Sequence, residues 1–148
     1  MAEPFIYRRI VDFAETDMAG IAHFSNYFRW MEAAESALLR EVGVPLTASD
    51  GVTDYGWPRV RASCSYHEPV RYSDELEVQL HLKTIKVKAL EYVAKFYVGQ
   101  GDERRHVATG KMTSVYVCKP TAGGPMQSLA LTPAMLERLA PLAEEVLT

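Results

Sequence analysis

Apolar and polar residues alternate with a period of two along several stretches of this chain, a pattern typical of half-buried antiparallel strands. The first strand is predicted over residues 5–13, which are rich in aromatic and β-branched side chains. Four more strand-like segments follow Pro58 in succession. Their apolar positions are Val60, Ala62, Cys64 and Tyr66, then Leu76, Val78, Leu80 and Leu82, then Leu90, Tyr92, Ala94 and Phe96, and finally a run within residues 105–118. In the first of these segments, the residues expected on the opposite face are Arg59, Arg61, Ser63 and Ser65.

A period close to 3.6 residues predicts one long helix over residues 24–42. Its apolar face is formed by Phe24, Tyr27, Met31, Ala34, Leu38 and Val42. Gly43 and Pro45 end it in the usual order. A loop is predicted over residues 47–56. A C-terminal helix is predicted over about residues 132–147, with Thr132 as its cap and Pro133 at its first position.

The order of these elements is one strand, one long apolar helix, four strands and a final helix, without an internal repeat or a linker. A single antiparallel sheet of about five strands wrapped around the long helix buries both apolar surfaces economically. A length of 148 residues fits one domain. We therefore predict one α+β domain over residues 1–148.

The composition of the chain limits which kinds of partner and which cellular compartment we expect. The net charge of −3, from 16 basic and 19 acidic residues, argues against a protein that wraps nucleic acid. No uncharged apolar run approaches the roughly 20 residues that cross a bilayer, and the first residues lack the apolar core of a secretory signal. We therefore expect a cytoplasmic protein without a membrane partner. In that compartment Cys64 and Cys118 are expected as free thiols.

Several familiar kinds of site have no counterpart in the sequence. It contains no glycine-rich phosphate loop, no dinucleotide-binding fingerprint, no CxxC pair, no HExxH and no GxSxG. The four histidines, at positions 23, 67, 81 and 106, lack the close spacing of metal ligands. The sequence therefore predicts neither a metal site nor a cofactor.

The distinctive stretch is the one that joins the first strand to the long helix. Asp17 precedes the predicted helix start by about seven residues. A helix N-terminus offers unpaired N–H groups that suit a developing oxyanion, and a carboxylate beside it can act as nucleophile or general base in acyl transfer. Asp is equally common as a plain turn residue. The spacing alone leaves both interpretations of Asp17 open.

This stretch resembles the 4-hydroxybenzoyl-CoA thioesterase family, whose members are acyl-CoA thioesterases of hotdog fold. The family pattern has an aromatic residue before an acid-Thr-Asp sequence, then Gly, an aromatic or His pair, Asn-Tyr and an acid within the helix. The matching residues here are Phe13, Glu15, Thr16, Asp17, Gly20, His23, Phe24, Asn26, Tyr27 and Glu32. The likeness covers about residues 7–118, including the strand that begins at Pro58-Arg59-Val60.

The resemblance implies a function and a set of site residues. Asp17 takes the place of the catalytic carboxylate, and the backbone N–H near Phe24 polarises the thioester carbonyl. Gly20, His23 and Asn26 line the same site. The substrate is an acyl-CoA, no separate cofactor is used, and the active site forms between subunits of a homodimer or of a tetramer built from two dimers. One departure concerns His23, which lies one position before the place where many members carry a histidine.

Other residues have two interpretations each. His23 either contacts the thioester or hydrogen-bonds locally, and Asn26 either caps the helix, which we expect, or binds substrate. Glu35 falls on the apolar side of the helix, and we expect it to be exposed at a subunit boundary rather than buried with a partner. Lys86 and Lys88 flank Val87, so strand alternation predicts that both side chains point to the same side. In folds related to the one that the resemblance implies, this region borders the CoA nucleotide, and both lysines are candidates for binding its phosphates. Alternatively, they are part of a solvated edge.

Two other functions remain open at this stage. A hotdog dehydratase acts on acyl thioesters, but its usual site pairs a His in a Pro/Gly-rich segment with a helical acid, and residues 23–26 contain no proline. A non-catalytic acyl-CoA-binding module is distinguished from an enzyme only by an assay.

Overall fold

One main sheet and one small sheet account for the strands of the computed structural model, which describes residues 2–147. In chain order the elements are β1 (Phe5–Ile10), α1 (Ser25–Val42), β2 (Ala48–Ser49), β3 (Thr53–Gly56), β4 (Arg59–Tyr66), β5 (Glu75–Ile85), β6 (Ala89–Val98), β7 (Arg105–Val115), β8 (Val117–Pro120), β9 (Gln127–Ser128), α2 (Pro133–Leu139) and β10 (Ala143–Val146). Short 3₁₀ turns lie at Phe13–Glu15, Gly101–Glu103 and Ala140–Leu142.

The main sheet has the order β1-β5-β6-β7-β4, and all of these neighbours are antiparallel. The three central strands are 10 or 11 residues long and bury every second side chain. Helix α1 packs across the face that carries these buried residues, with contacts to β1, β4, β5 and β7. The predicted hotdog arrangement, a sheet wrapped around one long helix, is confirmed.

Helix α1 has the predicted extent to within one residue. Gly43 ends it in the left-handed conformation, with a φ of 77°, as the sequence predicted. Most of the predicted apolar face is buried, and Trp30 and Leu39 widen it. Phe24 is an exception: it lies just before the first helical turn and is 60% exposed. Its assignment to the buried face was wrong, because this cap position at the very end of the helix is not covered by other residues.

Three predicted boundaries were wrong. The first strand ends at Ile10, because the chain turns into the 3₁₀ segment at Phe13–Glu15. The predicted loop at residues 47–56 contains β2 and β3. The strand predicted over residues 105–118 breaks at Tyr116, so its end forms β8 in a separate small sheet of order β2-β3-β8-β9.

The predicted C-terminal helix is also much shorter than expected. Thr132 caps it, accepting a hydrogen bond from the Met135 N–H at 3.2 Å, and Pro133 is at its first position. Pro141 then removes an N–H that a continuing helix would use, and the chain passes through a 3₁₀ turn. The remaining residues form β10, which pairs in parallel with β5 from Leu82 to Ile85.

Strand β4 forms one edge of the main sheet and carries a β-bulge. Arg59 pairs with Ser114 and Ala62 pairs with Met112, so the extra residue lies between them. Since Ser114 and Met112 are two apart on β7, Arg59 and Ala62 lie on the same face, the one toward α1. The sequence prediction that placed Arg59 on the opposite face from Ala62 was therefore wrong.

No helix within residues 2–147 is long and apolar enough to cross a membrane.

Candidate active site

The segment between β1 and α1 folds into a tight turn that presents Asp17. The Asp17 N–H donates to the Ile21 carbonyl at 3.0 Å, and the Gly20 N–H donates to the Asp17 carbonyl at 2.9 Å. Gly20 has a φ of 80°, a backbone conformation that other residues adopt only with strain. The Asp17 carboxylate is exposed and accepts one hydrogen bond, from the Ala19 N–H at 2.9 Å. Asp17 is thus a turn residue, and the turn leaves its carboxylate accessible.

Glu15 fixes this segment to the rest of the molecule. One carboxylate oxygen accepts the Asp12 N–H at 2.8 Å, and the other accepts the Trp30 indole N–H at 2.8 Å and lies 3.0 Å from the Arg9 guanidinium. One side chain therefore joins β1, the turn and α1 just before Asp17. From the sequence, Glu15 was identified only as one of the residues that match the family pattern. Asp12 is a local partner, but Arg9 and Trp30 lie 6 residues before Glu15 and 15 after it, so local spacing does not reveal the link between β1 and α1.

The start of α1 is held to the same segment by backbone and side-chain hydrogen bonds. The His23 N–H and the Asn26 amide both donate to the Glu15 carbonyl, at 2.9 and 2.7 Å. Asn26 therefore ties the helix to the turn and does not cap it, so the capping prediction was wrong. The His23 Nδ1 accepts the Ser25 N–H at 3.3 Å and lies 2.8 Å from the Ser25 hydroxyl. His23 thus makes local hydrogen bonds, in agreement with one of the two interpretations given for it above.

Asp17 and the start of α1 line one cleft, with a volume of about 370 Å³. Its lining residues are Asp17, Ile21, Ala22, Phe24, Tyr27, Tyr66, His67, Glu68, Pro69 and Val70. Burial raises the pKa of Tyr27 to about 12, so its phenol stays protonated near neutral pH. Tyr66 donates a long hydrogen bond, 3.4 Å, to the Phe24 carbonyl. Neither tyrosine was among the predicted site residues, because both also fit the apolar pattern of the core.

The Phe24 N–H is the open donor at the helix start. The next N–H groups are engaged, that of Ser25 by the His23 ring and that of Asn26 by the His23 carbonyl. Among residues 2–147 the Phe24 N–H has no hydrogen-bond partner. Because the N-terminal end of a helix also carries partial positive charge, this N–H is suited to bind an oxyanion in the cleft.

A larger groove of about 610 Å³ lies between β1 and the β6–β7 turn. Its three arginines already pair with carboxylates, since Arg8 and Arg104 approach Glu77 at 3.1 and 3.6 Å and Arg9 approaches Glu15 at 3.0 Å. The groove does not include Asp17, Phe24 or any other residue of the cleft. We therefore assign the candidate active site to the smaller cleft.

Glu35 is fully buried in α1, and the prediction that it is exposed was wrong. Its carboxylate binds the Arg59 guanidinium at 2.6 Å. Glu35 lies beside the Tyr92 hydroxyl, and burial together with this carboxylate raises the pKa of Tyr92. The bulge in β4 turns Arg59 toward the helix and supplies the partner that a buried acid requires.

Lys86 and Lys88 lie in the turn between β5 and β6, so the strand alternation assumed for them was wrong. Lys86 pairs with Glu91 at 3.2 Å, and Lys88 donates to the Ser128 hydroxyl at 3.4 Å. The turn is at the far end of β5 from Val70 and the cleft. In a single chain a strand of 11 residues, about 33 Å long, separates the two places.

The cleft offers a carboxylate and a backbone N–H, and no metal-like cluster of three or more His, Cys, Asp or Glu side chains occurs in residues 2–147. A family model of the thioesterase-like superfamily matches residues 11–148. The chain belongs to this superfamily. The resemblance inferred from the motif is confirmed at that level.

Two named relatives and one solved structure are also similar to this chain. The chain is 45% identical over 84 residues to a "Putative esterase" of Aquifex aeolicus, a match that spans 55% of this chain and 63% of that protein, less than two thirds of it. It is 26% identical over 119 residues to a 1,4-dihydroxy-2-naphthoyl-CoA hydrolase of Prochlorococcus marinus, covering 72% and 76% of the two chains. A solved structure of a hypothetical protein from Aquifex aeolicus superposes with a TM-score of 0.74 at 31% identity, covering 92% and 99%.

In this member of the superfamily, removing the His23 ring should have a modest effect. His23→Ala loses hydrogen bonds to Ser25, whereas the His23 backbone N–H still anchors the helix start to Glu15. We expect at least about a tenth of wild-type kcat/KM to remain in a thiol-release assay, since lost local hydrogen bonds of this kind cost on the order of 1 kcal/mol. A loss as deep as that of an Asp17 variant would assign His23 a direct part in the chemistry.

Proposed function

We propose that this protein hydrolyses acyl-CoA thioesters to a carboxylic acid and free CoA. The observation that carries the proposal is that Asp17, with an exposed carboxylate, and Phe24, with an open N–H, line the same cleft of a thioesterase-like superfamily member. Superfamily relatives named for CoA-thioester hydrolysis support the substrate class.

The chemistry needs few groups. Water attacks the thioester carbonyl while Asp17 takes one of its protons, and the carbonyl oxygen becomes an oxyanion facing the Phe24 N–H. The C–S bond then breaks, and the proton held by Asp17 goes to the departing sulfur. In a nucleophilic variant the Asp17 carboxylate attacks first, and water hydrolyses the resulting anhydride. Both routes consume one water and need no metal, because a thiolate is a good leaving group.

The protein is proposed to act as a dimer paired through β4. This edge strand exposes Val60 and Tyr66, and an edge of eight residues with exposed apolar side chains invites pairing with a second copy. The opposite edge of the main sheet is less suited, since it is divided between two shorter strands, β1 with six residues and β10 with four. A two-fold axis makes the two β4 strands antiparallel, so the Arg59 end of one lies beside the Tyr66 end of the other. The dimer or tetramer expected from the sequence is thus proposed to form through the β4 edge.

Light scattering should give about twice the mass of one 16.6 kDa chain, or four times for paired dimers. We expect Val60→Glu to shift the protein toward monomer and to lower activity, because it places a charge in the proposed contact. Val52→Glu is the matched control, since Val52 is 75% exposed and lies outside β4. An active wild-type monomer at micromolar concentration would refute the dimer.

Pairing through β4 also restores a role for the two lysines. The turn with Lys86 and Lys88 is at the same end of the sheet as Arg59, since Ala89 pairs with Val115 and Arg59 with Ser114. In the dimer this end of one subunit lies beside the cleft of the other. Three or four strand spacings, about 14–19 Å, then separate the lysines from the cleft of the other subunit, a distance that the pantetheine arm of CoA can span.

Replacing both Lys86 and Lys88 by Ala should raise KM for an acyl-CoA several-fold and leave an acyl-pantetheine unaffected. The effect should shrink as salt is added, because exposed phosphate contacts are screened. Lys119→Ala removes an exposed charge from β8 and serves as the control. An equal rise in KM for both substrates would mean that the lysines act on folding or pocket shape.

The proposed function itself is tested by following free-thiol release from a panel of short, long, branched and aromatic acyl-CoAs. We expect turnover of at least one class. Binding of acyl-CoA without thiol release across the panel would favour a non-catalytic module. Hydration or dehydration of an enoyl or hydroxyacyl thioester without thiol release would favour a dehydratase.

A further inference from the structure

Two histidines meet beside the cleft and take no part in the hydrolysis described above. His67 follows β4 and lines the cleft that contains Asp17, and His106 is near the start of β7. The Nε2 atom of each ring lies 3.0 Å from the Thr109 hydroxyl oxygen, and the ring centres are 4.9 Å apart. The spacing of the histidines along the chain predicted no metal site, because this pair forms only where β7 runs beside the end of β4.

The two ring nitrogens point to one place. Since both contact the same oxygen atom, they are at most about 6 Å apart. Two nitrogen ligands of a tetrahedral zinc ion lie about 3.4 Å apart. Both rings are exposed, so small rotations bring the nitrogens to that separation. The Thr109 hydroxyl has one proton and can donate it to only one of the rings, whereas one metal ion can bind both.

Neighbouring groups hold the two rings in place. The His67 N–H donates to the Val107 carbonyl at 2.8 Å, which fixes the end of β4 beside β7. The His106 ring stacks on Tyr97, with ring centres 4.9 Å apart and planes inclined by 27°. The two ligand nitrogens are therefore brought together by the fold before any ion binds, which lowers the entropy cost of binding.

The charges around the pair permit a cation to bind. Partial burial, together with the neighbouring His67, Lys95 and Arg104, lowers the pKa of His106, so its ring is neutral near pH 7 and keeps a lone pair. Three cations of this region are each accompanied by an acid. Arg104 lies 3.6 Å from Glu77, Arg105 lies 3.2 Å from Glu68, and Lys95 shares a pocket with Glu144.

We propose that His67 and His106 bind one divalent transition-metal ion, of the class of Zn²⁺, Ni²⁺ or Cu²⁺, through their Nε2 atoms, beside the Thr109 hydroxyl. Imidazole nitrogens suit these ions, whereas Mg²⁺ and Ca²⁺ prefer oxygen ligands. Because His67 is part of the cleft wall, the bound ion inhibits the enzyme. Its hydration shell narrows the cleft, and its charge weakens Asp17 as a proton acceptor. The inhibition rests on the proposed hydrolysis, whereas the binding does not.

The first test is a calorimetric titration of the full chain with ZnCl₂. We expect one ion per chain for the wild type, and an affinity at least about tenfold lower for His67→Ala and for His106→Ala, since a single imidazole then remains. The double variant should be little weaker than either single variant, because the loss of one ligand already breaks the pair. His81→Ala, which changes a histidine of β5, is the matched control and should bind as the wild type does.

Two further measurements accompany the titration. Circular dichroism and Tm establish that each variant is folded, which we expect because both rings of the pair are exposed. Mg²⁺ at the same concentration should release no heat of binding at this site. If zinc affinity is the same in all the variants, or if the losses of the two single variants add as they would for two separate histidines, the site is refuted.

The second test measures inhibition. Hydrolysis is followed through the carboxylic acid product, because the free thiol of CoA itself binds zinc. We expect saturating Zn²⁺ to lower the wild-type rate several-fold relative to the metal-free rate, and a chelator to restore it. His106→Ala should lose this response when compared with its own metal-free rate. It is the informative variant because His106 lies outside the lining of the cleft, so the cleft wall stays intact.

The outcomes separate this inference from the proposed function. Absence of hydrolysis with every acyl-CoA refutes the proposed function, and the zinc titration then decides on the metal site alone. Hydrolysis by a protein whose zinc binding does not depend on both histidines refutes only the metal site. Zinc binding that needs both histidines but leaves the wild-type rate unchanged refutes the inhibition.

Discussion

Replacing Asp17 by Asn is expected to lower the rate of thioester hydrolysis by roughly 10²- to 10⁴-fold, the usual contribution of a positioned general base. The amide keeps the shape of the side chain and can still accept the Ala19 N–H, so the turn persists. What it loses is the negative charge that takes a proton from water or attacks the carbonyl. Because the effect falls on the reacting atoms, kcat should drop while KM changes little.

The control for this experiment is Asp102→Asn. Asp102 is exposed in the turn between β6 and β7, outside the lining of the cleft, and its replacement removes the same charge from the protein. We expect wild-type rates from it. Near-wild-type turnover by a folded Asp17→Asn protein would exclude Asp17 from the chemistry, and the assignment of the cleft would then fail.

Replacing Glu15 by Ala should affect both stability and activity. It leaves the buried Trp30 indole N–H without its acceptor, which costs about 1–3 kcal/mol, and it removes one of the two carboxylates that pair with Arg9, the other being Asp12. We expect a loss of about 2–4 kcal/mol in the free energy of unfolding, measured by urea denaturation. Activity should fall at least tenfold even where the protein is fully folded, because the turn that positions Asp17 loses its anchor.

The variant Glu15→Gln tests whether Glu15 stabilises the turn through its hydrogen bonds or through its negative charge. The amide oxygen can still accept one of the hydrogen bonds, while the attraction to Arg9 is lost. We expect it to recover more than half of the stability lost in Glu15→Ala. If the two variants were equally stable and both retained wild-type activity, Glu15 would be an ordinary surface acid and the turn would be held by its backbone alone.

Much of the fold follows from periodicity, since α1 and the central strands each bury one regular face. The C-terminal strand β10 does not follow from it. Residues 132–147 have an apolar spacing that fits a helix. Whether the chain continues past Pro141 as a helix or as a strand depends on the open edge of β5, which lies far away in the sequence. Long-range pairing of this kind overrides local preference.

The candidate site was predictable where its residues are close in sequence. Asp17, Gly20 and Phe24 belong to one turn, and the family pattern located them. The Glu35–Arg59 pair was not predictable, because a single-residue bulge in β4 reverses the face on which Arg59 lies, and alternation carries no signal for a bulge. The anchoring role of Glu15 likewise depends on distant partners.

The parallel pairing of β10 with β5 bears on how the chain completes its fold as it is synthesised. The hairpins of β5, β6 and β7 are local and can form on a nascent chain, whereas the edge of β5 from Leu82 to Ile85 stays open until Ala143–Val146 leave the ribosome. An open edge is a template for pairing with other chains. These later-made residues thus close the growing sheet, and a product that stops short of them would carry an aggregation-prone edge.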